Sequence, residues 1–198
     1  LVGFTGTAFY DADTLMKLTP ANLIFVALLF FWNASSLPIK YFVWFLGIAL
    51  TGYLVELAGI RTGLIFGAYQ YGAGLGLKLA GVPLIIGLNW ALLIFSISAL
   101  LIPMKAGDGI RAVLGAGLMV AYDLLLEPVA IRFDFWSWDL GLIPLQNYLA
   151  WWLVSFLMLL GILKSKLDLR NKMPAWILGV QALFFLYLIL LQGLRIGS

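Results

Sequence analysis

The chain has 198 residues, of which 64% are hydrophobic and only 11% charged, with a net charge of +3 and a mean hydropathy of +1.06. A soluble domain cannot hide that much apolar surface, so the composition points to an integral membrane protein, and charge this sparse excludes a nucleic-acid binder. There is no cysteine and no histidine, which removes disulfides, thiol nucleophiles, histidine bases and the usual zinc, haem and iron–sulfur ligands.

We therefore expect no metal and no cofactor, with proton chemistry left to Asp, Glu, Tyr, Lys or water. No cleavable signal peptide is visible. The chain opens at Leu1 without a methionine, and Leu1-Val2-Gly3-Phe4 reads as the tail of an earlier apolar segment. The expectation is that N-terminal sequence, up to one helix of it, precedes this segment.

Crossing a hydrocarbon core ~30 Å thick takes ~20 apolar residues. Six stretches qualify: 20–34, 38–58, 82–102, 109–130, 143–163 and 173–194. Asn33-Ala34-Ser35-Ser36-Leu37-Pro38 is a tight turn, which predicts that the first two spans form an antiparallel hairpin. Pro83, Pro144 and Pro174 sit near helix starts, where a missing N–H costs little. Two connections are not ordinary loops. Residues 62–81 mix glycines with Tyr69, Tyr71 and alternating leucines, and residues 131–141 alternate Ile131, Phe133 and Phe135 with Arg132 and Asp134. Both have the period of extended strands or hairpins at the membrane interface. Trp136 and Trp138 suit an aromatic belt at headgroup level, or contact with a substrate.

Lys40, Lys105, Arg111, Lys164, Lys166, Arg170 and Lys172 fall on one side of a six-span arrangement, and Lys17, Arg61, Lys78, Arg132 and Arg195 on the other. The dense 164–172 loop is the expected cytoplasmic side. We expect a multi-pass protein of a prokaryotic cytoplasmic (inner) membrane: one all-α transmembrane domain over 1–198, with six or seven helices and two interfacial hairpin-like connections.

Glu56-x-x-x-Ile60-Arg61 recurs as Glu127-x-x-x-Ile131-Arg132 at an offset of 71 residues. Val82-Pro83-Leu84 with Asn89-Trp90 is answered by Ile143-Pro144-Leu145 with Gln146-Asn147 and Trp151. The pattern suggests parallel helix–hairpin–helix repeats, 38–102 and 109–163, or a short chance similarity. Charged groups at membrane depth are expensive, so glutamates in equivalent places suggest a shared polar site. In this register Glu56, Asp123, Glu127, Asn89, Gln146 and Asn147 converge on one layer.

Asp123 and Glu127 are spaced i, i+4, about 5–6 Å apart on one helix face. Like charges in low dielectric do not both ionise comfortably, which is how a general acid is made. The competing reading has Arg61 and Arg132 neutralising Glu56 and Glu127 in structural ion pairs. Asp123 has no basic neighbour in sequence and is the first choice for a functional acid. Asn89 and Asn147 suit holding a water, orienting a carboxylate or bridging helices. Tyr122 points away from Asp123, and Gln181 sits mid-helix, where it is expected to bond to a neighbouring helix.

Glu56 to Trp90, with Phe66-Gly67-Ala68-Tyr69-Gln70-Tyr71, and Tyr122 to Trp152, with Asp123-Leu124-Leu125-Leu126-Glu127-Pro128, Trp136-Ser137-Trp138 and Pro144-Leu145-Gln146-Asn147-Tyr148, cover about a third of the chain. At these residues it resembles the integral-membrane carotenoid biosynthesis proteins that include the bisanhydrobacterioruberin and γ-carotene hydratases. The resemblance implies a hydrophobic carotenoid substrate taken from membrane lipid and a cofactor-independent hydratase. Such an enzyme adds water across the terminal C1=C2 bond of an acyclic end by protonation at C2 and capture of the tertiary cation. Asp123 or Glu127 would then be the acid, Glu56 with Asn89 or Asn147 would hold the water, and Trp90, Tyr69, Tyr71, Trp136 and Trp138 would line the polyene end. A carotenoid end-group cyclase and a non-catalytic pigment-binding or transport protein are the alternatives. A retinal pump is disfavoured because the last span has no lysine. The oligomeric state is left open.

Overall fold

The computed structural model describes residues 12–32, 38–169 and 173–193. The 33–37 part of the turn, residues 170–172 of the basic loop, Leu1–Phe4 and Arg195 lie outside the described residues. The described chain is an all-α bundle: α1 (Ala12–Met16), α2 (Thr19–Trp32), α3 (Ile39–Thr62), α4 (Ile85–Leu101), α5 (Asp108–Arg132), α6 (Leu145–Lys164) and α7 (Met173–Gln192). Among the described residues, four helices are long and apolar enough to cross a membrane, Ile39–Thr62, Asp108–Arg132, Leu145–Lys164 and Met173–Leu191, while α2 and α4 are apolar but shorter. The protein is a multi-pass membrane protein.

The shortness of α4 follows from its place. It packs against α2, α3, α5, α6 and α7, and 14 of its 17 residues are buried, so it is the axle of the bundle. Outward-facing apolar side chains lie instead on the surrounding helices, among them Leu46, Leu50 and Leu54 of α3, Leu153 and Leu157 of α6 and Leu183 and Leu190 of α7. This is the surface expected of helices solvated by lipid. At one end of α4 an aromatic cluster joins α2, α3 and α4, with Phe45 and Tyr41 packed 5.4 and 4.9 Å from the Phe95 ring.

Helix ends differ from the expectation in a way that matters. α3 runs on through Thr62 and stops at Gly63, whose φ of 64° lets its N–H reach the Gly59 carbonyl. Glu56 therefore lies well inside the helix rather than at its end. α5 likewise continues past Pro128 to Arg132. Val82-Pro83 does not open a helix; it forms strand β3, paired with β2 (Lys78–Leu79) in a small hairpin.

The connections depart from the expected pair of separate hairpins. Strand β1 (Tyr69–Tyr71) in the first pairs antiparallel with β4 (Trp136–Trp138) in the second, with Tyr69 opposite Trp138, Gln70 opposite Ser137 and Tyr71 opposite Trp136. The two segments are also interlocked beside the strands. Gly72 N–H donates to the Phe135 carbonyl at 2.9 Å, Gly74 N–H to the Asp134 carbonyl at 3.0 Å, and Ala73 N–H to the Asp134 carboxylate at 2.9 Å. A Cβ on Gly72 would fall 2.1 Å from Asp134 Oδ1, so only glycine permits this approach.

Candidate functional site

The strand pair settles where the four aromatic rings go. Alternation along β1 and β4 puts Tyr69 and Tyr71, and Trp136 and Trp138, on the same buried face. They are not an outward-facing belt: their polar atoms point onto Glu56 of α3 and Glu127 of α5. Tyr69 Oη donates to Glu56 Oε2, Tyr71 Oη donates to the same oxygen at 2.9 Å, and Trp90 Nε1 from α4 donates to Glu56 Oε1 at 3.0 Å. Trp136 Nε1 and Trp138 Nε1 donate to Glu127 Oε2 at 2.9 and 3.0 Å. An indole nitrogen can only donate, so both glutamates are built as acceptors. Burial, and next the Glu56 carboxylate, push the Tyr69 and Tyr71 hydroxyls up. They therefore stay protonated and remain donors.

Asn147, at the start of α6, links the second acid. Its Nδ2 donates to Asp123 Oδ2 at 2.8 Å and lies 3.4 Å from Glu127 Oε1. Asp123 Oδ1 is buried with no partner among the described residues. Glu56, Asp123, Glu127 and Asn147 are 4%, 0%, 1% and 2% exposed, so none is solvated at the surface.

The arginines do not neutralise this cluster. Arg61 is exposed and makes no ion pair among the described residues. Arg132 turns away to Asp13, 2.9 Å from its Oδ1, beside the Phe133 ring. The physical reason is helical geometry: five residues on from each glutamate, the arginine projects from a different side of the helix. Gln146 also leaves the predicted layer, since it is exposed and its Nε2 donates to the Leu64 carbonyl.

Between the two glutamates lies a cavity of about 30 Å³ lined by Glu56, Glu127, Asn89, Asn147, Trp90 and Trp151 along with the four strand aromatics. That volume suits one or two waters. The Trp90 and Trp151 rings stack at its wall, 4.6 Å apart and 25° from parallel. Trp90 reaches Glu56 because Gly52 leaves the surface of α3 open; a Cβ there would sit 2.6 Å from Trp90 Cβ. Asp123 does not line this cavity and meets it through Asn147. The cavity shares Ile86, Asn89, Leu126 and Trp136 with a second one of about 80 Å³ that reaches Tyr122, Gln181 and Phe185.

A model of the carotenoid biosynthesis protein family matches residues 19–196. The chain belongs to that family. It is also 30% identical over 112 residues to a bisanhydrobacterioruberin hydratase of Haloarcula japonica, a match that takes in 52% of this chain and 38% of that protein. The chain thus spans well under half the length of that relative. No solved structure matches. The donor-lined carboxylates are the one deeply buried acidic cluster among the described residues.

Sequence reasoning missed the second cavity. Tyr122 lies far in the chain from Gln181 and Phe185, and only the packing of α7 against α4 and α5 joins them. The long-range Asp13–Arg132 pair carried no local signal either. The alternation in Tyr69-x-Tyr71 and Trp136-x-Trp138 did contain the shared face of the rings, but not their partners.

Proposed function

We propose that this protein is a carotenoid hydratase that adds water to the terminal C1=C2 bond of an acyclic carotenoid end. The observation that carries the reading is the pair of carboxylates facing one water-sized cavity, which adjoins a larger and mostly apolar one. Water and hydrocarbon are thereby sorted by size and polarity.

In this reading Glu127, in its acid form, gives its proton to C2. The electron pair of the double bond forms the C2–H bond and leaves a tertiary cation at C1. The electron-rich faces of Trp136, Trp138 and Trp90 stabilise that cation, a contribution of about 2 kcal/mol or more in a desolvated site. A water held by Glu56 and Asn89 attacks C1, and its surplus proton passes to Glu56. Return of that proton to Glu127 through a cavity water closes the cycle, with Asp123 and Asn147 as a reserve behind Glu127. Atoms and charge balance without any redox step.

Asp123 was the first choice of acid on sequence grounds. Its position behind Asn147, off the cavity wall, favours Glu127 for the direct transfer. End-group cyclisation starts with the same protonation but needs water kept out; a polar, water-sized space between two carboxyls supports hydration instead. Expression in cells that make lycopene, followed by mass analysis of the pigments, tests the reading. The expected product is heavier than lycopene by one water. Pigment returned unchanged, or isomerised at constant mass, overturns it.

The reading includes a duplicated origin for the 38–102 and 109–163 halves. The strand register centred on Gln70 opposite Ser137, and the stacking of Trp90 on Trp151, are what a two-fold axis through the cluster would give, and so support it.

A further inference from the structure

The second cavity is bounded by α2, α4, α5 and α7 with a roof from the two connections, and its lining is mostly apolar. Three of its polar side chains, those of Asn89, Tyr122 and Gln181, have no hydrogen-bond partner among the described residues. In a lipid-facing protein such groups are costly unless something fills the space beside them. The cavity runs from α2, where Asn22 is exposed, past the half-buried Gln181 on α7. α2 and α7 pack only lightly on each other. Its inner wall is the one shared with the carboxylate cavity.

A polyene is insoluble in water and reaches a membrane enzyme from the side, through the bilayer. We propose that the second cavity is the end-group site: one isoprenoid end of the polyene enters between α2 and α7 and brings its terminal double bond to the wall formed by Ile86, Leu126 and Trp136. The rest of the polyene stays in lipid. Tyr122, Gln181 and Asn89 are the partners of the tertiary hydroxyl as the product withdraws. A hydrocarbon substrate leaves those groups unpartnered, whereas an alcohol both donates to and accepts from them, so the site holds a hydrated end in preference to a hydrocarbon one.

The hydroxyl part of this assignment rests on the hydratase reading, and the binding part does not. The test uses the full chain purified from lycopene-making cells. Gln181→Trp fills the passage without breaking any hydrogen bond. It is expected to lower co-purified lycopene at least about tenfold, one decade of affinity, and to lower conversion with it. Val180→Trp, on the exposed neighbouring position, is the folding control and should carry lycopene like the wild type. Glu127→Gln should carry lycopene and leave it unconverted. Gln181→Leu should still bind lycopene, but its preference for hydrated lycopene over lycopene, read by tryptophan quenching, should fall several-fold. Undiminished lycopene on Gln181→Trp overturns the site. An unchanged preference in Gln181→Leu overturns the hydroxyl role. Failure of hydration itself would show separately, as pigment of unchanged mass on a wild-type protein that still binds it.

Discussion

The two glutamates sit at matching places and are held differently. Glu56 has both oxygens engaged by donors from three aromatic side chains, two tyrosine hydroxyls and one indole. Glu127 has two indoles on one oxygen, while the other has only the Asn147 amide at 3.4 Å. One turn earlier in each helix stands the cause. Gly52 lets the Trp90 ring lie against α3 and reach Glu56, whereas Asp123 takes the corresponding place on α5 and draws Asn147 toward itself. A carboxylate saturated with donors is suited to stay charged and take a proton from water. A carboxyl with one loosely held oxygen beside a second acid is suited to give one up. In the proposed mechanism, a glycine in one place and an aspartate in the other are what set the base apart from the acid.

The largest break in that comparison should come from Glu127→Gln, which keeps the shape and removes the transferable proton. Conversion of an acyclic polyene is expected to fall at least ~100-fold, the scale of a lost general acid, with the protein still folded by thermal unfolding in detergent. Glu56→Gln comes next, at roughly 10- to 100-fold on conversion. It should also cost about 1.5–3 kcal/mol of stability, because the tyrosine and indole donors lose a charged acceptor. If the two variants cost the same in stability, the distinction between a saturated and a loosely held carboxylate is wrong. Asp123→Asn removes only the reserve behind Glu127 and should lower turnover about tenfold, at the low edge of acid–base effects, while leaving polyene binding intact. Full turnover would remove Asp123 from the chemistry. Tyr71→Phe is the mildest, deleting one of three donors to Glu56. A loss of about 0.5–1.5 kcal/mol in stability and a few-fold drop in conversion are expected, measured on the same membranes.

Much of the bundle was legible because lipid imposes one dominant rule, a long apolar run per crossing. The span expected at 109–130 appears as Asp108–Arg132, and that at 143–163 as Leu145–Lys164. The layer holding Glu56, Glu127, Asn89 and Asn147 followed from counting helix directions. What local sequence did not contain was pairing between distant segments. An arginine five residues from a glutamate looks like its partner, yet Arg132 found Asp13, more than a hundred residues away. Glycine-rich, alternating connections looked like two separate hairpins, because nothing local says that Tyr69 will lie opposite Trp138. The four strand donors to the glutamates depend on that cross-pairing and so were read as belt or substrate contacts.

The stacked indoles of Trp90 and Trp151 offer a consequence of another kind. Two near-parallel chromophores 4.6 Å apart share their excited states, and a fixed twist between them gives a paired positive and negative band in the circular dichroism of the indole transitions. One ring belongs to α4 and the other to α6, so the intensity of that couplet is an optical ruler of how tightly the two helices close around the carboxylates. It needs no label and no pigment, and it would register a change in their spacing on the addition of polyene before any product is made.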